Sequence, residues 1–248
     1  MQVSRNQRIN RVESGGEGII NMRALLIQAR LSSERFPGKM LAPIVCRVPL
    51  VEYVYRRSRT SKQADVVAVI TSTDKTDDAL FSYCRDHDIK IFRGALNNVL
   101  DRYIKAAEFF KADVVCRVCG DSPFVDTGLI DKMFEIQAHE GIDYVAPERR
   151  TCIAGLTSEV VTVPALGRAA KDASLEESEH VTLFLKNNRD KFKMKFLNAG
   201  MKPEVSGLTS LTVDYPGDLK ICGKIAESLG MRYDFEAKDI LSLLSKEN

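Results

Sequence analysis

"ALLIQARLSSERFPGK", residues 24–39, decides how the rest of the chain is read. Its opening run, ALLIQA over 24–29, has the continuous apolar character of a buried strand. The loop beyond that run cannot be regular. Two serines, Pro37 and Gly38 keep 31–38 out of helix and strand, which leaves backbone N–H groups free to donate to an anion. Arg30, Arg35 and Lys39 add three cations, so forked donors and a point charge could together hold a polyphosphate. A solvated basic surface loop has the same composition, and the residue types alone leave both readings open. A P-loop is excluded: position 33 is Ser where its first glycine belongs, Met40 replaces its Ser or Thr, and Pro43 blocks the helix that should come next.

Outward from that loop the pattern alternates. PLVEYVYRRSRTS has helical spacing, with Pro49 suited to a first turn; DVVAVITST reads as a strand and DKTDDALFSYCRDHD as a helix. IKIFRG is a third strand, LNNVLDRYIKAAEFFKA an amphipathic helix, DVVCRV a fourth strand, TGLIDKMFEIQAHEG a helix and IDYVA a short strand. These spacings predict an α/β fold: a three-layer, mostly parallel sheet with helices on both faces and ligands at the carboxyl ends of the strands. Further on, GLTSEVVTV and FKMKFLNA read as strands, and SLEESEHVTLFLKNN as one helix opened by a Ser174–Glu177 capping box. GLTSLTVDYPG reads as a strand ending in Asp214, and EAKDILSLLS as a final helix. The expected organisation is a polar, disordered extension over residues 1–21. Next comes a single domain over 22–248, with a small sugar-binding or dimerisation lobe around 150–205.

Composition narrows the partners. Thirty-six Lys and Arg against 34 Asp and Glu leave a net charge of +2, which argues against a nucleic-acid footprint and makes any positive field local. No apolar run approaches the roughly 20 residues a membrane helix needs, so the expectation is a cytoplasmic protein with no membrane association. Six cysteines lie scattered through strand-like and helical stretches. Cys116 and Cys119 have CxxC spacing, but residues three apart on a strand point to opposite faces, so small buried side chains are the better reading.

A second loop carries the opposite sign. GDSPFVD sets Asp121 straight after a strand, and LTVDYPGD sets Asp214 at the predicted end of another. Two carboxylates on different strand ends suit a Mg²⁺ ion that completes its shell with water and phosphate oxygens. Asp is also an ordinary turn and cap residue, the reading preferred for Asp77, Asp126 and Asp218.

Taken together and in order, IQARLSSERFPGKML, DDALFSYCRDHDIKIFRGALNNVLDRY, RVCGDSPFVD, EHVT and LTVDYPGDL resemble the cytidylyltransferases that activate sugars as CMP derivatives. The likeness is nearest to the spore-coat polysaccharide branch and more distant to the acylneuraminate and Kdo enzymes. It implies a nucleotide-diphosphosugar-transferase-like fold, usually homodimeric. The implied reaction joins CTP to a small sugar acid and releases pyrophosphate, with Mg²⁺ as cofactor. By position it implies a nucleotide loop over Gln28 to Lys39, including Ala29, Ser32 and Arg35, with Arg30 and Lys39 as the catalytic phosphate contacts. It puts Asp121 and Asp214 at the metal, Arg93 and Asp101 in the frame of the nucleotide, and Glu159 and His180 on the sugar side; Arg117 is a further substrate-binding candidate, with facing the nucleotide or pairing with a carboxylate both open.

The sequence departs from that pattern on the sugar side. Thr157 and Ser158 stand where an acidic residue is usual, and Ser178 and Glu179 fill the stretch that commonly holds an arginine. Ser210 replaces a second arginine, and Cys119 stands where Thr or Gln is frequent. Two other functions therefore stay open. One is a glycosyltransferase of the same architecture, which would usually carry an Asp-x-Asp metal motif. The other is a non-catalytic nucleotide-binding relative.

Overall fold

The computed structural model describes residues 21–201 and 210–246, so the extension expected at the N-terminus falls, but for Asn21, outside the described residues. In chain order the strands are β1 (Arg23–Gln28), β2 (Pro43–Val45), β3 (Val48–Pro49), β4 (Val66–Ser72), β5 (Ile91–Gly94), β6 (Val114–Cys119), β7 (Tyr144–Pro147), β8 (Glu159–Thr162) and β9 (Met194–Leu197). The helices are α1 (Leu50–Ser58), α2 (Asp78–Asp86), α3 (Val99–Phe110), α4 (Thr127–Glu140), α5 (Val163–Asp172), α6 (Leu175–Glu179), α7 (Leu183–Asn187), α8 (Pro216–Ser228) and α9 (Ala237–Lys246).

β1 shows why the layers form. Its successive side chains point to opposite faces, and both sets are dry: Leu25 and Ile27 join one buried cluster, Ala24 and Leu26 the other. A strand apolar on both faces belongs inside a sheet covered twice. The cluster behind Leu25 takes in residues of α1, α4 and α8; the one behind Leu26 takes in residues of α3 and α5. The main sheet runs β5-β4-β1-β6-β8-β7-β9, and β2 and β3 form a separate hairpin. β5, β4, β1 and β6 are mutually parallel, β8 is antiparallel to both its neighbours, and β9 returns parallel to β7. The predicted mostly parallel, mixed three-layer sheet is the fold observed.

Two stretches differ from their expected form. Residues 174–188 make two short helices instead of one, broken where Val181 adopts a φ of 37°. A β-branched residue resists that conformation, and tertiary contacts hold it there. Val181 is fully buried, and the Thr182 hydroxyl donates to the Glu159 carboxylate at 2.8 Å. The strand expected to end in Asp214 is, over its described part, a single bridge between Ala154 and Ser210. Ser210 and Thr212 bond each other's side chains, and Ser210 Oγ takes the Thr212 N–H, so local bonds compete with a ladder. Gly155 faces this segment at φ +88°, where a Cβ would come within 2.6 Å of Leu211.

The helix caps follow the sequence in part. Ser174 and Glu177 form their capping box, Asp126 accepts from the N–H groups of Gly128 and Leu129, and Asp218 accepts from Asp214 and Tyr215. Asp77 is the exception. Its side chain caps no helix and turns inward, fully buried.

Candidate active site

Gln28 and Cys119 are paired in register at the ends of β1 and β6, so the cationic and acidic loops leave the sheet side by side. They touch at once: the Gly120 N–H donates to the Gln28 carbonyl at 2.8 Å. A Cβ on Gly120 would lie 2.9 Å from that carbonyl and from Met40 Sδ, so only glycine fits between the loops.

Lys39 closes the cationic loop and reaches the acidic one. Its Nζ, in a side chain almost wholly buried, donates to Asp121 Oδ2 at 2.9 Å and to the Val213 carbonyl at 2.7 Å, and stands 3.8 Å from Asp214 Oδ1. Arg35 Nη2 meets the same Asp214 oxygen at 2.7 Å, with its guanidinium over the Tyr215 ring. The Tyr215 side chain and the charge of Asp214 hold the Arg35 pKa above its usual value. Asp214 Oδ2 accepts the Thr212 hydroxyl at 3.2 Å. Asp77 anchors the loop from below, taking the Leu31 N–H at 2.7 Å, the Ser72 N–H at 3.1 Å and the Ser72 hydroxyl. A cavity of about 470 Å³ opens here, walled by Gln28, Arg30, Arg35, Lys39, Asp121 and Asp214 among others.

A second cavity of about 670 Å³ adjoins it and shares Cys119 and Asp121 as a common wall. Glu159 is its hub. Arg117 Nη1 donates to Glu159 at 3.3 Å, Tyr144 OH at 2.8 Å and Thr182 Oγ1 at 2.8 Å, and Lys186 Nζ completes the set. Burial alone would raise this carboxyl, but Arg117, Lys186 and the hydrogen bonds outweigh it and hold it at about 2. Burial and the neighbouring Glu159 carboxylate push the Tyr144 hydroxyl upward. Arg149, Arg189 and Phe196 also face the cavity.

Most of the candidate residues meet. Gln28, Ala29, Arg30, Arg35, Lys39, Asp121 and Asp214 line the first cavity, and Arg117 and Glu159 the second. Ser32 is exposed and Ser33 takes its place in the wall. Arg93 is spent elsewhere, donating to the carbonyls of Ser72 and Asp74 and pairing with Asp78 at 2.7 Å. Asp101 pairs with Lys105 on its own helix, and His180 is an exposed residue that ends α6; none of these three lines either cavity. The single Asp-x-Asp tripeptide, Asp86-His87-Asp88, ends α2 and lines neither cavity. Sequence reasoning missed Tyr144, Lys186 and Asp77. Lys186 had a signal, since it lies one helical turn after Thr182 and shares its face. Asp77 had none, because a buried brace and a helix cap look alike in sequence.

Among the described residues no group of three or more His, Cys, Asp or Glu is arranged to hold a metal ion. Asp121 and Asp214 form a two-carboxylate site with a ready test of fit: an ammonium, Lys39 Nζ, already stands between them. Such a site suits a hard cation that takes its remaining ligands from phosphate and water. No helix is long and apolar enough to cross a membrane among the described residues.

Residues 24–225 match the family model described as cytidylyltransferase. The chain is 33% identical over 231 residues to the spore coat polysaccharide biosynthesis protein SpsF of Bacillus subtilis, covering 89% of this chain and 93% of that one. It is 32% identical over 153 residues to a 3-deoxy-manno-octulosonate cytidylyltransferase of Anaeromyxobacter sp. strain K, 60% of each chain. A cytidylyltransferase structure from Leptospira borgpetersenii superposes with a TM-score of 0.84 at 25% identity, covering 92% of this chain and 95% of that one. With strand order, loop geometry and sequence in agreement, the chain belongs to the cytidylyltransferase family.

Proposed function

We propose that the chain transfers CMP from CTP to a hydroxyl of an acidic sugar, releasing pyrophosphate, in a pathway of surface polysaccharide synthesis. One observation carries the reading: two cavities of different chemistry share the wall at Cys119 and Asp121, with the buried Lys39 bonded to Asp121. The cationic cavity suits a triphosphate, and the larger one suits an acceptor whose hydroxyl must reach the α-phosphorus.

Arg30, Arg35 and Lys39 bind the phosphates and oppose the charge that grows on the departing pyrophosphate. Asp121 and Asp214 would hold Mg²⁺, which when bound would supply charge neutralisation at the phosphates. Holding donor and acceptor on either side of one strand end turns a bimolecular encounter into an oriented one. No covalent nucleophile is required. On the acceptor side, Arg117 and Lys186 are fixed by Glu159, and Arg149 and Arg189 add positive charge to the wall. These cations favour a carboxylate-bearing sugar despite the arginines absent from stretches 178–179 and 210. The homodimer implied by the resemblance belongs to the same proposal.

The test is pyrophosphate release from CTP across a panel of sugar acids with Mg²⁺, with EDTA abolishing it and added Mg²⁺ restoring it. CTP binding without turnover on any acceptor would favour the non-catalytic reading; cleavage or transfer from a nucleotide-sugar in place of CTP would favour the glycosyltransferase.

A further inference from the structure

The two carboxylates assigned to the metal already have cations of their own. Lys39 Nζ lies 2.9 Å from Asp121 and 3.8 Å from Asp214, while Arg35 lies 2.7 Å from Asp214. Two carboxylates face one ammonium and one guanidinium, so the local charges cancel. The two cations are held very differently. Lys39 has 8% of its side chain exposed and a third bond to the Val213 carbonyl. Arg35 has 57% exposed, rides on the irregular loop and leans on the Tyr215 ring 5.5 Å away. Of the two, Arg35 is free to leave.

Leaving requires another anion. A polyphosphate in the first cavity offers one, in the planar, bidentate geometry that guanidinium matches best. A divalent ion arriving alone offers none: it must share the two carboxylates with the cations already on Asp121 Oδ2 and Asp214 Oδ1, and add two positive charges to a neutral site. Resting on the proposed function's assignment of Asp121 and Asp214, we infer that Arg35 is a latch. It keeps Asp214 closed to a divalent cation until the nucleotide's phosphates draw the guanidinium away. Metal and nucleotide then bind with positive coupling, which thermodynamic linkage makes equal in both directions. The chain selects the metal–nucleotide complex over the free ion, and Arg35 sets that preference.

Titration of the intact chain with Mn²⁺, following free Mn²⁺ by electron paramagnetic resonance with and without CTP and subtracting the Mn²⁺ that the same CTP binds without protein, tests this. Wild type should bind Mn²⁺ weakly alone and more tightly with CTP. Arg35→Gln should bind Mn²⁺ alone about tenfold more tightly, with a smaller gain on adding CTP. Arg35→Lys, which keeps the charge, should stay near wild type. Equal affinity of wild type and Arg35→Gln for Mn²⁺ alone would overturn the latch, while leaving the metal assignment standing if CTP still tightens binding and Asp121→Asn abolishes the gain. If CTP tightens binding in no variant, or Asp121→Asn changes nothing, the metal assignment fails and the latch with it.

Discussion

Lys39 and Asp121, 82 positions apart in the chain, meet at 2.9 Å across the seam between two loops. That bond joins the first cavity to the wall it shares with the second, so on the proposed function its loss falls on turnover. Lys39→Ala and Asp121→Ala should each still fold, with a lowered melting temperature because a buried charge loses its partner, and lose about a hundredfold or more in pyrophosphate release, the scale of removing one preorganised charge. Normal turnover by either variant would remove the proposed role.

Asp77 acts one step further back. Asp77→Ala leaves the N–H groups of Leu31 and Ser72 without their acceptor. The expected cost is about 2 kcal/mol of stability, the order of an unsatisfied buried donor. KM for CTP should rise more than kcat falls, because Asp77 positions the loop without touching substrate. Asp77→Asn, which keeps one acceptor oxygen, should recover part of the lost CTP affinity; steady-state kinetics beside a thermal melt separates the two effects.

Glu159 gives a pH dependence with a definite sign. Its carboxyl lies at about 2 in the fold against an ordinary 4.5, so the stabilisation is fully present above 4.5 and is lost as pH falls through that range toward 2. The interval corresponds to about 3 kcal/mol by linkage. Urea melts of wild type between pH 5 and pH 2 should show that loss. Glu159→Gln should be flatter in the same window and less stable at neutral pH, since Arg117 and Lys186 lose their partner. Parallel curves for the two proteins would contradict the ion-pair hub.

Gly120→Ala probes the contact between the loops themselves. Its Cβ would sit 2.9 Å from a backbone oxygen that cannot swing aside. A loss of about 1–3 kcal/mol in stability is expected, the range for overpacking, together with reduced CTP affinity as the loops part. Differential scanning calorimetry and CTP titration read the two effects separately.

Much of this was legible in the sequence. β1 announced itself by a run apolar on both faces, and the alternation downstream of it fixed the layers. The meeting of the two loops at one cavity was legible because its residues come from two short stretches with unusual composition, one basic and one acidic. The rest depended on tertiary contacts that leave little local trace. The break at Val181 is held by burial and by a bond from Thr182 to Glu159, which lies 23 residues away. Asp214 sits on an extended segment whose own serine and threonine compete with sheet pairing. Arg93 and Asp101 looked like nucleotide contacts by position, yet their partners lie in β4, α2 and their own helix. His180 had only its position to suggest a role, and the fold leaves it at a helix end facing water.

The wall at Cys119 and Asp121 divides labour along the chain. The first cavity is built largely from residues before position 41 with Asp214, and the second largely from residues between 144 and 196. A lineage can therefore redraw one chamber while leaving the other chemically intact. On the proposed assignment, retargeting such an enzyme to a new sugar would be a matter of rewriting one bank of a river whose other bank stays put.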